Sequence, residues 1–248
     1  MIGSKKCFVL DMDGVIFRHS GVSLQLNSKV NLFVKKSVNK YMDDGKAFKI
    51  NTQMYKEFGH TLIGLQKIYD KNLEIKDYNN FVYDIEFINY IKRSCKEDGV
   101  QEDGKTFKEL LKVCNNKNIP VYIFSNANKE WCNTILDKMN VLELMNNNNI
   151  ITSDNEIYDN SSIKSTKQIF LKPYGHTYLK VMDYIFKNED YDDLQLIYVD
   201  DQLKNLIPIM NNSIWKPILM REKEGYYEKI CTDNLYTIDD LSELHMLM

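Results

Sequence analysis

The stretch Cys7-Phe8-Val9-Leu10-Asp11-Met12-Asp13-Gly14-Val15-Ile16-Phe17 decides how this chain is read. Lys5 and Lys6 lead into four consecutive apolar residues. A short run of that kind reads as a strand buried on both faces, as in a parallel sheet flanked by helices. The run stops at two carboxylates separated by one residue, followed by a glycine. In an open α/β sheet, ligands bind outside the carboxyl ends of the strands, so Asp11 and Asp13 belong at the lip of a crevice. Carboxylates beside a dry core are costly unless a cation or a proton compensates them. The pair therefore points to a metal site. Asp-Met-Asp-Gly also suits an ordinary turn, and partners further along the chain must decide between the two readings.

The composition narrows the classes. The chain has 248 residues, 44% hydrophobic and 27% charged, with a net charge of -3. That length suits one large domain or a core with a smaller module. No long basic run offers a footprint for nucleic acid, and charge interrupts every apolar run well before membrane-spanning length. Met1 to Lys5 leads directly into the first strand, which leaves no room for a signal peptide. The five cysteines (Cys7, Cys95, Cys114, Cys132 and Cys231) form no Cys-x-x-Cys pair. A reduced, cytoplasmic protein without structural zinc is expected. The histidines His19, His60, His176 and His245 show no ligand spacing.

After Phe17 the periodicity becomes helical. Apolar positions recur at helical spacing over 27–41 and 53–69, and 81–91 is apolar and aromatic. No strand is expected between residues 18 and 100. The polar run 96–104, with Gly99 and Gly104, reads as a linker. From Thr106 helices and strands alternate. Strands are expected at 121–124, 150–152, 194–199 and 214–219, with helices near 129–139, 178–186 and 203–210. Pro173 suits the first turn of a helix, and the tail 237–247 looks helical. This order predicts a Rossmann-like parallel sheet flanked by helices, from 1–17 and 105–248, with an inserted helical cap at 18–104. Three strand ends carry polar residues: Asp11/Asp13, Ser125/Asn126 and Asp200/Asp201. In a parallel sheet these emerge on one edge and converge, which independent turns have no reason to do.

The constellation resembles the haloacid dehalogenase-like hydrolase superfamily, most of whose members are magnesium-dependent phosphatases. The resemblance rests on Asp11-Met12-Asp13-Gly14-Val15, on Ser125 after the next strand, on Lys172 in Leu171-Lys172-Pro173, and on Asp200-Asp201 after a hydrophobic strand. It implies that Asp11 attacks phosphorus to form an aspartyl phosphate and that Asp13 protonates the leaving oxygen and then activates water. It further implies Mg²⁺ held by the Asp11 carboxylate, the Asp13 carbonyl and Asp201, with Asp200 orienting that shell. Gly14, Ser125, the backbone near Asn126 and Ala127, and Lys172 would then receive the phosphate. Position 205 is Asn where many relatives carry a second Asp.

The helical insert resembles the cap of subfamily I. Two stretches, Tyr55-Lys56-Glu57-Phe58-Gly59-His60-Thr61-Leu62-Ile63-Gly64-Leu65 and Phe124-Ser125-Asn126-Ala127-Asn128-Lys129, are similar to the pyrimidine 5'-nucleotidase-like branch. Lys204-Asn205 after Asp200-Asp201 also fits that branch, whereas Asn128 and the segment 146–165 depart from its pattern. The resemblance implies a nucleoside 5'-monophosphate as substrate, with His60 and Thr61 as cap residues facing the site. A general phosphatase of sugar phosphates or pyridoxal phosphate, a phosphomutase, and a catalytically silent regulatory protein are the alternatives. Halide removal is disfavoured, because that chemistry needs no second aspartate.

Overall fold

The structure, a computed structural model, describes residues 5–18, 20–94, 98–154, 170–189, 194–221 and 235–248. Cys95, Cys231, His19 and residues 155–165 of the segment 146–165 lie outside the described residues. The opening stretch forms β1 (Lys5–Leu10), as its apolar run predicts. The other strands are β2 (Val121–Phe124), β3 (Ile150–Ile151), β4 (Leu194–Asp200), β5 (Trp215–Met220) and β6 (Tyr236–Ile238). They make one sheet in the order β3-β2-β1-β4-β5-β6. Every pairing is parallel.

The alternation of side chains along each central strand splits the core into two layers. On one face Phe8, Leu10, Ile123, Ile197 and Val199 pack with Phe107, Leu110, Trp131 and Ile135. These last four come from α6 (Asp98–Asn116) and α7 (Lys129–Lys138). On the other face Cys7, Val9, Tyr122, Phe124, Leu196 and Tyr198 pack with Tyr178, Val181 and Ile185 of α8 (Gly175–Glu189). The result is the expected helix–sheet–helix sandwich. Residues buried on both faces explain why β1 and β2 read as unbroken apolar runs rather than alternating ones.

Between β1 and α6 lie α1 (Ser20–Val38), α2 (Asp44–Phe58), α3 (Thr61–Ile68), α4 (Ile75–Val82) and α5 (Ile85–Ser94). The first four enclose a separate apolar cluster that includes Phe33, Val34, Ile50, Met54, Leu65 and Tyr78. By contrast, Phe87, Ile88 and Ile91 of α5 pack into the core of the sheet. The insert is therefore anchored through α5, with Val22 of α1 in the same core.

Four sequence expectations are revised. The pattern over 53–69 is two helices, because Gly59 terminates α2 in the left-handed region (φ 78) and His60 starts α3. Residues 98–104 are helical: Val100 is buried with Phe107 and Leu110, and this apolar face holds α6 together despite its glycines. Pro173 precedes α8 by two residues instead of sitting in its first turn. The tail contains the short strand β6 followed by a 3-10 helix at Leu241–Leu247, opened by a capping box between Asp240 and Glu243. No helix among the described residues is long and apolar enough to cross a membrane.

Candidate active site

The central position of β1 builds the site. Its neighbours are β2 and β4, with Leu10 in register with Ile123 on one side and Val199 on the other. Ladder bonds continue past the strand ends: the Asp11 N–H donates to the Val199 carbonyl at 2.9 Å and the Ser125 N–H to the Ile151 carbonyl at 3.0 Å. Asp11, Ser125 and Asp200 are thereby fixed on one edge, where the sequence places them.

Lys172 ties them together. Its amine lies 2.8 Å from Asp11 Oδ1 and 2.9 Å from Asp200 Oδ2, and it donates to the Phe124 carbonyl at 3.1 Å. Lys172 is only 1% exposed, and its ammonium also sits over the Phe124 ring at 5.2 Å. Burial alone would push its pKa down; Asp11 and Asp200 outweigh that and hold it above the usual lysine range. The carboxyl of Asp11 is pushed up by burial, against the opposing pull of Lys172, and the charges of Asp200 and Asp201 add to the rise.

Asp200 is wholly buried behind this pair. It accepts from Lys172, from the Tyr198 hydroxyl, from the Gln202 N–H at 2.8 Å, and from Asn205 Nδ2 at 3.0 and 3.1 Å to its two oxygens. With that many donors on two oxygens, Asp200 reads as the charge that sets Lys172 in place. Asn205 supplies a donor where an aspartate would add another negative charge.

Asp13 sits half-buried on the same lip. Burial raises its pKa to about 6, against the lowering effects of the Trp131 hydrogen bond and the Lys172 charge. Trp131 Nε1 lies 3.2 and 3.3 Å from the two Asp13 oxygens. Gly14 follows with φ +88, and a Cβ there would stand 2.5 Å from the Asp201 carboxylate. Only glycine permits both the backbone angle and the approach.

A divalent cation fits this donor set. Carboxylate oxygens of Asp11, Asp200 and Asp201 lie within 4.8 Å of one another. Lys172 touches Asp11 and Asp200, and Asp201 brings a third carboxylate to the same point. An all-oxygen group of this kind suits Mg²⁺, which keeps several of its waters. Asp11, Asp201 and the Asp13 carbonyl are the residues that could hold it, because the oxygens of Asp200 already accept several hydrogen bonds.

The cluster opens into a cavity of about 860 Å³. Asp11, Asp13, Gly14, Ser125, Asn126, Lys172 and Asp201 all line it, whereas Asp200 does not. The side-chain amide of Asn126 also engages the Lys172 backbone. It accepts from the Lys172 N–H at 2.8 Å and donates to the Lys172 carbonyl at 3.1 Å. The Ser125 hydroxyl accepts from the Ala127 N–H at 3.1 Å.

His60 and Thr61 reach the cavity wall, but they also have local partners. His60 Nδ1 accepts from the Leu62 N–H at 3.2 Å and caps α3, and the Thr61 hydroxyl donates to Asn51 at 2.6 Å. Phe48, Thr52 and Tyr55 of α2 extend the same wall. Lys204 crosses from the core to lie 3.2 Å from the Tyr55 ring centroid, and it donates to the Tyr55 carbonyl at 3.1 Å.

Sequence reasoning did not find Trp131, Tyr198 or Tyr55. Tyr198 was within reach, since it lies two residues before Asp200 on one strand and so shares its face. Trp131 in the first turn of α7 gave no comparable signal.

No protein-family model and no curated protein matches the sequence. Solved structures do match. A family IA, variant 3 haloacid dehalogenase-type hydrolase from Entamoeba histolytica aligns over 96% of this chain and 94% of its own, with TM-score 0.59 and 13% identity. A phosphoserine phosphohydrolase-like protein from Francisella tularensis aligns over 98% and 99%, with TM-score 0.53 and 19% identity. A dehalogenase aligns over 100% and 99%, with TM-score 0.52 and 15% identity. These alignments span the sheet and the helical insert together: the chain has the fold of the haloacid dehalogenase-like hydrolases.

Proposed function

We propose that this protein is a magnesium-dependent phosphatase that works through an aspartyl phosphate on Asp11, with nucleoside 5'-monophosphates as its substrates. The observation that carries the reading is the Lys172 amine held between Asp11 and Asp200 at 2.8 and 2.9 Å, with Asp13 on the same lip. A fold shared by phosphatases and dehalogenases does not choose the chemistry. Asp13 supports phosphoryl transfer, because displacing an alkoxide calls for a proton that displacing a halide does not.

A phosphate monoester is anionic and repels a carboxylate nucleophile, so the site must neutralise charge and align the reactants. Lys172 supplies one fixed positive charge at that point. Asp11 Oδ1 takes both Lys172 and the Met12 N–H, at 2.8 and 2.7 Å, which leaves Oδ2 without a donor among the described residues. Oδ2 is the attacking atom. As the oxygen–phosphorus bond to Asp11 forms, the ester bond breaks and Asp13 gives its proton to the departing alcohol oxygen. Asp13 then takes a proton from water, whose oxygen displaces Asp11 from phosphorus and releases inorganic phosphate. When bound, Mg²⁺ would supply the remaining positive charge to the phosphoryl oxygens.

A cavity of about 860 Å³ lies within the usual range for a small-molecule site. Its wall combines aromatic rings (Phe48, Tyr55, Tyr83) with amides (Asn27, Asn51), which supports a flat, hydrogen-bonding leaving group such as a nucleoside. The test is a metal-dependent phosphate-release screen over nucleotides, sugar phosphates and pyridoxal phosphate, run beside Asp11→Asn. Magnesium-dependent turnover that disappears in Asp11→Asn is expected, with pyrimidine nucleotides fastest. Turnover that persists in Asp11→Asn, or needs no divalent ion, contradicts the mechanism. Faster turnover of sugar phosphates contradicts the substrate.

A further inference from the structure

We infer that Trp131 is a positioning residue for the acid/base step: its indole N–H sets the plane of the Asp13 carboxyl, and the helical insert sets the indole. This inference deepens the phosphatase reading and rests on it. Trp131 is 1% exposed, with Nε1 at 3.2 and 3.3 Å from the two Asp13 oxygens. Among the described residues it is the carboxyl's only side-chain donor. A single N–H shared between both oxygens holds the carboxyl plane without committing either oxygen, so one of them remains available to the ester.

The indole is itself held from the other side. The Phe87 ring of α5 stacks on it at 5.8 Å with an interplanar angle of 4°, and Tyr83 lies against it at 5.6 Å. Both rings belong to the insert between β1 and α6. A residue of the core, Asp13, is thus oriented through a contact chain that runs out into the insert and back. Packed aromatic neighbours of this kind restrict rotation of the indole more tightly than a surface contact could.

The role has a chemical signature. Proton delivery from Asp13 matters in proportion to how poorly the leaving oxygen departs alone. An alkoxide must be protonated as the ester bond breaks, whereas 4-nitrophenolate departs without help. A positioned general acid contributes about 10²- to 10⁴-fold, and loss of orientation forfeits part of that for alkyl esters alone. Loss of packing would slow both ester types together.

The experiment uses the full chain with Mg²⁺ and two substrates: 4-nitrophenyl phosphate, and the alkyl monophosphate turned over fastest in the screen above. Trp131→Phe keeps a ring against Phe87 and removes the donor. Its kcat should fall roughly thirtyfold on the alkyl ester and no more than about fivefold on the aryl ester, with KM for each nearly unchanged. Benzothienylalanine at position 131 replaces the N–H by sulfur at nearly constant shape. It should give the same split, and it decides the matter if Trp131→Phe does not fold. Equal losses on the two esters, or full alkyl-ester activity without the N–H, overturn the inference and leave the phosphatase reading standing. A wild-type protein that turns over neither ester overturns both.

Discussion

The Asn126 side chain grips the peptide of Lys172 at both ends, accepting from its N–H at 2.8 Å and donating to its carbonyl at 3.1 Å. Residue 126 lies just beyond β2 and Lys172 lies in the turn before α8. The clamp thus fixes the root of the buried Lys172 while Asp11 and Asp200 fix its tip. Asn126→Ala should cost about 1–2 kcal/mol of stability, the usual range for losing buried hydrogen bonds. It should also lower kcat by about a hundredfold, since a small misplacement of a catalytic charge is that expensive. Urea unfolding and steady-state kinetics on the same samples check both figures. Unchanged kcat with lowered stability would confine the clamp to folding.

Lys172→Met removes the ammonium from between two buried carboxylates. Breaking a buried ion pair on one side typically costs about 3–5 kcal/mol, and the variant should show a loss of that order in denaturant titrations. Turnover should fall below detection. A stability close to wild type would mean that Asp11 and Asp200 are neutral in the folded protein, and the charge assignment would have to be redrawn.

Gly14→Ala tests the metal seat. The new methyl would sit 2.5 Å from the Asp201 carboxylate on a backbone at φ +88. Asp201 must move or the turn must change. Magnesium affinity measured by calorimetry should drop about tenfold or more, with stability reduced by roughly 1–2 kcal/mol for the left-handed backbone. Wild-type magnesium affinity in this variant would remove Asp201 from the ligand set.

His60 makes stability depend on acid. Burial, reinforced by the Lys204 charge, lowers its pKa from 6.5 to about 4. The folded state holds the ring neutral, and Nδ1 accepts the Leu62 N–H. Between pH 6.5 and 4 the unfolded chain therefore binds more protons than the folded one, so stability is complete above 6.5 and falls as the pH drops through this window. The full loss is about 3 kcal/mol. His60→Asn keeps an acceptor for the cap but does not titrate, so its unfolding free energy should decline less steeply than wild type over the same range. Parallel slopes in denaturant titrations from pH 7 to 4.5 would count against a neutral buried ring.

Much of this architecture is legible because the residues concerned do one thing each. The apolar runs of β1, β2 and β4 are buried on both faces, and the polar residues at their ends have nowhere to go but the shared edge. Asp11, Ser125 and Asp201 line one cavity on that account, and Lys172 joins them from the turn before α8. Residues with two possible employments are harder to read. The side chain of Asn126, whose backbone the resemblance assigns to the phosphate, also clamps the Lys172 backbone, because an amide can both donate and accept. Gly99 and Gly104 suggest a linker, but the buried face of α6 overrides their low helix propensity. Strand β6 is three residues long and, among the described residues, lies at the edge of the sheet beside β5, too short a run to show a period. Trp131 was invisible for a different reason: its partner Asp13 is 118 residues away, and no local pattern marks such a contact.

The ladder bonds of Asp11 and Ser125 have a consequence for how the molecule moves. Both amides donate to neighbouring strands inside the sheet, to Val199 and Ile151. Their hydrogens can exchange with solvent only when β1 parts from β4 and β2 from β3, which requires the sheet itself to open. The wall facing the substrate is different: Tyr55 and Phe48 on α2 are 42% and 55% exposed, and Lys204 reaches α2 through solvent-facing contacts. Among the described residues, amide exchange should therefore rank the Asp11 backbone among the slowest positions and the α2 end near Tyr55 among the faster ones. Asp11 and Ser125 would thus stay fixed through openings of the cavity wall frequent enough to admit and release a small molecule.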